Sequence, residues 1–115
     1  METKAGVAIV TGGAMGYKTG GASIGEAIAI RLAKDGFKVV VVDVGEMGNK
    51  TVEIIKSGGG EAIFVKADVT ETEEVKKIIE ITKDTFGGLN CLVNCVAKYS
   101  EGMAKNIVDI AEEDW

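Results

Sequence analysis

Histidine and proline are both missing from this chain of 115 residues, and cysteine occurs only twice, at Cys91 and Cys95. Without histidine, no mechanism confined to these residues can use an imidazole as base or metal ligand. Both cysteines lie in the apolar run CLVNCVA, which as a strand holds them about 13 Å apart at roughly 3.3 Å per residue. A disulfide needs Cα atoms within about 7 Å, so no intrachain bridge is expected. C-x3-C without histidine also supplies too few metal ligands. The pair reads as small buried hydrophobes in a reducing, cytoplasmic setting. Positive charge is in deficit too, with 13 Lys+Arg against 18 Asp+Glu and a net charge of −5. That surface repels phosphate and argues against a general nucleic-acid partner. No apolar run approaches the roughly 20 residues of a membrane-spanning helix. The short apolar core of METKAGVAIVTGG falls below a secretory h-region. What remains, 46% apolar and 27% charged residues, is ordinary for one globular domain over residues 1–115.

The elements alternate regularly, and no proline, repeat or low-complexity segment interrupts them. GVAIVT (6–11) is a β-branched run that stops at glycines. ASIGEAIAIRLAKDG places Ile24, Ile28 and Leu32 on one helical face, with Ala27 and Ala33 beside it and Gly36 as its stop. FKVVVVDV (37–44) is continuously apolar, as a parallel strand buried on both faces must be. A weaker helix over about 47–57 carries Met47, Thr51, Ile54 and Ile55 and ends at Gly58-Gly59-Gly60. EAIFVKADV (61–69) is a third strand. Thr70-x-x-Glu73 has the form of a capping box and opens a helix that buries Val75, Ile78, Ile79, Thr82 and Phe86. LNCLVNCVA (89–97) is a fourth strand, and NIVDIAEEDW begins a further helix. Such alternation predicts an α/β fold of the Rossmann type, an open parallel sheet in the order 3-2-1-4 with helices on both faces.

Between the first strand and the first helix lies TGGAMGYKTGGASIG, with six glycines among positions 12–25. Backbone can approach a pyrophosphate only where no Cβ intervenes, and the helix N-terminus beyond offers N–H donors and a positive dipole. Amide hydrogens around 12–25 are therefore expected to grip a diphosphate. A P-loop is the competing reading, since Gly16-Tyr17-Lys18-Thr19 approaches a Walker A ending. Its mechanics fit poorly, because Tyr17 separates glycine from lysine and Gly20-Gly21 delay the helix. Asp43 closes the second strand 18 residues after Gly25, near the interval at which a carboxylate accepts the adenosine ribose hydroxyls. Its charge would repel a 2′-phosphate, which favours NAD over NADP, although Lys18 keeps NADP open. A strand-end aspartate capping a turn is the alternative. Asp68-Val69 ends the third strand similarly, and its carboxylate could either meet the adenine amino group or simply terminate the strand.

Thr11-Gly12-Gly13-Ala14-Met15-Gly16, then Ile24-Gly25-Glu26-Ala27-Ile28-Ala29, with Asp43, Asp68-Val69 and Leu92-Val93-Asn94, resembles the short-chain dehydrogenase/reductase family. The resemblance runs through the family-like Glu112-Glu113-Asp114-Trp115. It implies cofactor contacts from Gly12, Gly16, Ser23, Ile24, Gly25, Asp43, Val44, Asp68, Val69 and Asn94. The family's T-G-x-x-x-G-x-G is met at Thr11, Gly12 and Gly16, but its last glycine comes only at Gly25, after a seven-residue insertion, YKTGGAS. Ser23-Ile24 after a lengthened loop is also similar to the enoyl-thioester reductase branch. Of the family's N-N-A-G, only Asn94 survives, in Asn94-Cys95-Val96-Ala97.

Family catalysis uses a serine, a tyrosine and a lysine four residues beyond the tyrosine, because hydride transfer must be matched by proton exchange at the substrate oxygen. No such set occurs in register. Tyr99 and Lys105 are six apart and read as surface residues. The resemblance thus implies the NAD(P)-binding, N-terminal part of an oxidoreductase acting on alcohols, carbonyls or enoyl thioesters, with no catalytic residue of its own. A cofactor-binding or assembly subunit without catalysis is the alternative. The last helix breaks off without a cap, the expectation for a truncated or split gene product. The apolar edge at 91–97 should be covered by a second copy or by a C-terminal half.

Overall fold

Val39, Val40, Val41 and Val42 are wholly inaccessible to solvent, and this one run explains the layering of the molecule. In a strand, successive side chains point to opposite faces, so four buried valines in a row require cover on both sides. A computed structural model describes residues 5–14 and 23–96. The described elements are β1 (Val7–Thr11), α1 (Ile24–Lys34), β2 (Lys38–Asp43), α2 (Gly48–Ser57), β3 (Ala62–Lys66), α3 (Thr72–Phe86) and β4 (Cys91–Asn94). The four strands form one parallel sheet in the order β3-β2-β1-β4, as right-handed crossovers predict.

Alternate residues of the strands feed two separate cores. Val10, Val39, Val41 and Ala62 pack with Ala29 of α1 and with Val52 and Ile55 of α2. On the opposite face, Ile9, Val40 and Val42 pack with Ala67 and with Ile78 of α3. In register, Val10 lies beside Val41 and Ile9 beside Val40, so the sheet itself separates the two clusters.

Five local expectations are corrected. The buried stripe of α1 is turned by one residue: Gly25 and Ala29 face the sheet, whereas Ile24 is 77% exposed and Ile28 half-buried. A Cβ at position 25 would run into the carbonyl oxygen of Gly12, so the helix must lay its smallest residues against the turn after β1. The capping box at Thr70 and Glu73 does not form. α3 takes Glu71 as its N-cap residue without a side-chain bond, because Asp68 Oδ1 already accepts from both the backbone N–H and the hydroxyl of Thr70. Of the face expected to be buried on α3, only Ile78 and Thr82 are fully so, and Val75 is exposed. β3 and β4 are also shorter than the apolar runs that announce them, and Cys91 and Cys95 are half-buried rather than buried, both free. The helix read from NIVDIAEEDW, with Tyr99 and Lys105, lies outside the described residues.

Candidate dinucleotide site

The carboxyl ends of β1, β2 and β4 meet at the turn formed by Gly12, Gly13 and Ala14. Gly12 has φ +67°, a conformation that side chains resist. A Cβ there would also strike the backbone of Cys95 at the end of β4. Gly25 seals the other side, where α1 begins. The motif glycines at 12 and 25 thus let three backbone segments touch, which no larger residue would allow.

Three polar side chains from three different elements fasten this turn. Ser23, the N-cap of α1, donates its hydroxyl to the Ala14 carbonyl at 2.7 Å and accepts from the Glu26 N–H at 3.0 Å. Asp43, at the end of β2, accepts from the Ala14 N–H through Oδ2 at 3.2 Å and from the Val44 N–H through Oδ1 at 2.8 Å. Thr51, fully buried on α2, donates to the Gly13 carbonyl at 2.8 Å. The N–H groups of Gly12 and Gly13 both reach the Val42 carbonyl, at 2.8 and 3.3 Å.

The amides at 12–14 are therefore committed within the protein, and Gly12 contributes shape rather than a donor. Further donors among the described residues are at the start of α1. Ile24 and Gly25 carry its first two N–H groups, and the first N–H groups of a helix find no partner within the helix itself. The 11-residue helix adds its positive end at the same place. Its first turn also holds Glu26, 4% exposed, whose Oε2 has no hydrogen-bond partner among the described residues. Asp43 is half-buried. A carboxylate has about four lone-pair positions, and the two amides leave each oxygen able to accept again.

Around this centre the remaining predicted residues fall into two groups. Asn94 Oδ1 accepts from the Thr11 hydroxyl at 3.3 Å, and the Cys95 N–H reaches the Thr11 carbonyl at 3.1 Å, so the end of β4 is fixed to the end of β1. Val44 is exposed and follows Asp43 along the rim. Asp68 and Val69 stand one strand further out, after β3. The two bonds from Thr70, the hydroxyl first and the backbone N–H second, hold the Asp68 carboxyl below the ordinary value of 3.8. Gly16, Tyr17 and Lys18 lie outside the described residues. α1 opens at Ile24, well beyond Thr19, where a P-loop helix would begin directly after its lysine. Thr51 is the residue that the sequence signalled only faintly, as one hydroxyl in the apolar stripe of a weak helix.

A family model described as enoyl-(acyl carrier protein) reductase matches residues 20–115. An uncharacterised oxidoreductase of Thermotoga maritima is 42% identical over 96 residues, which is 83% of this chain and 36% of that protein. A short chain dehydrogenase from Mycobacterium avium superposes with a TM-score of 0.76 at 30% identity, covering 94% of this chain and 38% of that one. Actinorhodin polyketide ketoreductase, solved as a variant with NADPH, gives 0.75 at 30% identity over 95% of this chain and 38% of its own. The first two curated relatives are spanned over only 36% and 39% of their lengths.

Proposed function

Because this chain belongs to the short-chain dehydrogenase/reductase family, whose members bind NAD(P), we propose that its 115 residues form a single coenzyme-binding domain of an oxidoreductase and favour NAD over NADP. The whole protein then interconverts alcohol and carbonyl groups or reduces an enoyl thioester. Asp43 is the observation that carries this reading. Its carboxylate is held at the mouth of the turn by two amides and keeps acceptor capacity on both oxygens, which suits the two hydroxyls of a ribose. A phosphate on one of those hydroxyls would meet the same charge at close range.

The N–H groups of Ile24 and Gly25, backed by the α1 dipole, are assigned to the diphosphate. The exposed Ile24 side chain offers apolar cover beside it. Val44, Asp68 and Val69 would hold the adenine end of the coenzyme, and Asn94, tied to Thr11, would support its nicotinamide end. Gly16 belongs to the same assignment by its place in the motif. A bound nicotinamide coenzyme supplies or accepts the hydride. These residues bind and orient it, and none of them is assigned a proton-transfer role. Free Cys91 and Cys95 accord with a reducing cytoplasm, and no helix among the described residues is long and apolar enough to cross a membrane. The outer edge of β4, which pairs with no further strand among the described residues and where Leu92 is exposed, is assigned to contact with a further strand.

Fluorescence titration with NADH tests the reading directly. The chain should bind NADH, and Asp43→Asn should weaken NADH at least about ten-fold, the scale of a hydrogen bond to a charged group, while NADPH affinity holds or rises. Coenzyme fluorescence that stays unchanged at millimolar protein would falsify the assignment.

A further inference from the structure

We propose that Thr51 is a positioning residue for Asp43, acting through the single peptide unit that joins Gly13 to Ala14. The inference rests on the coenzyme reading above, in which Asp43 receives the adenosine ribose. It adds a part of the machinery that lies outside the glycine motif, on a helix that does not border the turn in sequence.

The geometry is a relay across one rigid plane. A peptide unit is planar and trans, so its C=O and N–H point in opposite directions and turn together. Here the C=O of that unit, from Gly13, accepts the Thr51 hydroxyl at 2.8 Å. The N–H of the same unit, from Ala14, donates to Asp43 Oδ2 at 3.2 Å. Rotating the plane would break both bonds at once. On one flank is Gly13, which has no side chain to resist rotation, since a Cβ there would crowd Val41 and the Val10 carbonyl. The hold must therefore come from outside the loop, and the Thr51 hydroxyl provides it from a site with no solvent exposure. A threonine in a helix commonly returns its hydroxyl to the carbonyl one turn earlier. Thr51 instead reaches a carbonyl 38 residues away in sequence.

Removing the hydroxyl leaves the Gly13 carbonyl buried without that donor, and such a group seeks another partner. The plane turns, the Ala14 N–H leaves Asp43, and the carboxylate loses one of its two anchors. Coenzymes that need Asp43 to accept ribose hydroxyls should suffer most. A coenzyme with a 2′-phosphate, which gains nothing from a well-aimed carboxylate, should suffer least.

Two measurements on the 115-residue chain test the relay, one without any coenzyme. In the 15N-labelled protein, Thr51→Val should speed amide hydrogen exchange at Ala14 about three- to ten-fold, the range of one ordinary hydrogen bond, and Thr51→Ser should stay within about two-fold of wild type. In titrations, Thr51→Val should lower the NADH-to-NADPH affinity ratio by a similar factor, Thr51→Ser should restore it, and the effect should vanish in an Asp43→Asn background. If the valine variant does not fold, Thr51→Ala removes the same hydroxyl and is compared with Thr51→Ser in the same way. A folded variant that keeps wild-type exchange at Ala14 and a wild-type ratio overturns the relay, even if Asp43→Asn behaves as expected. Altered exchange in a protein that never binds NADH supports the relay and overturns the coenzyme reading instead.

Discussion

Each face of the sheet buries one helical threonine completely, Thr51 under α2 and Thr82 under α3, and the two hydroxyls are used in opposite ways. Thr82 donates to the Ile78 carbonyl of its own helix at 2.7 Å. Thr51 donates to the turn after β1. The contrast extends to the whole of each face. On the α1 and α2 side, Ser23 reaches Ala14 and Thr51 reaches Gly13, so the helices are fastened to the turn that shapes the crevice. On the α3 side the polar bonds stay within six residues: Thr70 to Asp68, the Asp68 N–H to Glu74, Lys76 to Glu73, Thr82 to Ile78. A sheet needs cover on both faces for its apolar residues, but only one cover here also builds a site. Sequence separation across a side-chain hydrogen bond, more than burial, distinguishes the two.

The largest test of this contrast is at the contact between α1 and the turn. Gly25→Ala places a Cβ against the Gly12 carbonyl oxygen, backbone against backbone, with no flexible side chain to yield. Overpacking of this kind costs about 3 kcal/mol, and the displaced helix start should abolish NADH binding in titration. Denaturant unfolding that matches wild type within about 0.5 kcal/mol would mean that α1 can stand off from the turn, and the tie between helix and turn would lose its physical basis.

That contact also marks how far the sequence could be read. The four strands and their order were legible because Val39, Val40, Val41 and Val42 leave no other interpretation than a central buried strand, and crossover handedness does the rest. The place of Asp43 at the end of β2 was legible from the valine run that it closes. The roll of α1 was not, because Gly25 and Ala29 have too little apolar surface to signal a buried face, while Ile24 and Ile28 signal one strongly. The commitment of the Gly12 and Gly13 N–H groups to Val42 could not be seen either, since it depends on which strand lies beside β1. At Thr70, two local partners compete for one residue. The spacing to Glu73 suggested a cap, but Asp68 is nearer and already bends the chain into a turn. Thr51 was hidden for a further reason. A hydroxyl in an amphipathic stripe is compatible with many partners, and only the fold selects one.

A middle-sized test separates the two bonds of Ser23. Ser23→Ala removes both the acceptor for the Glu26 N–H and the donor to the Ala14 carbonyl, and loss of such a cap costs about 1–2 kcal/mol in denaturant unfolding. Ser23→Asp restores an acceptor for the helix but has no hydrogen to donate while ionised. It should recover most of the stability yet leave the turn untied, and its charge should oppose a diphosphate. If Ser23→Asp binds NADH as wild type does, the tie from α1 to Ala14 is dispensable and the division between the two faces is weaker than the bonds suggest.

The smallest effect should come from Thr82→Val, and its smallness is informative. Valine matches threonine in shape, and the Ile78 carbonyl still receives its helical N–H when the hydroxyl is gone. Back-bonding of a threonine hydroxyl to its own helix slightly destabilises and bends the helix, so the change should shift stability by no more than about 0.5 kcal/mol in either direction. Coenzyme affinity should not move, because nothing on α3 reaches the turn through this hydroxyl. Chemically it is the same substitution as Thr51→Val, at a position of equal burial. A loss of NADH affinity in both would make a general loosening of the core sufficient to explain the pair. A loss at Thr51 alone requires the direction of the hydroxyl, and with it the peptide unit between Gly13 and Ala14.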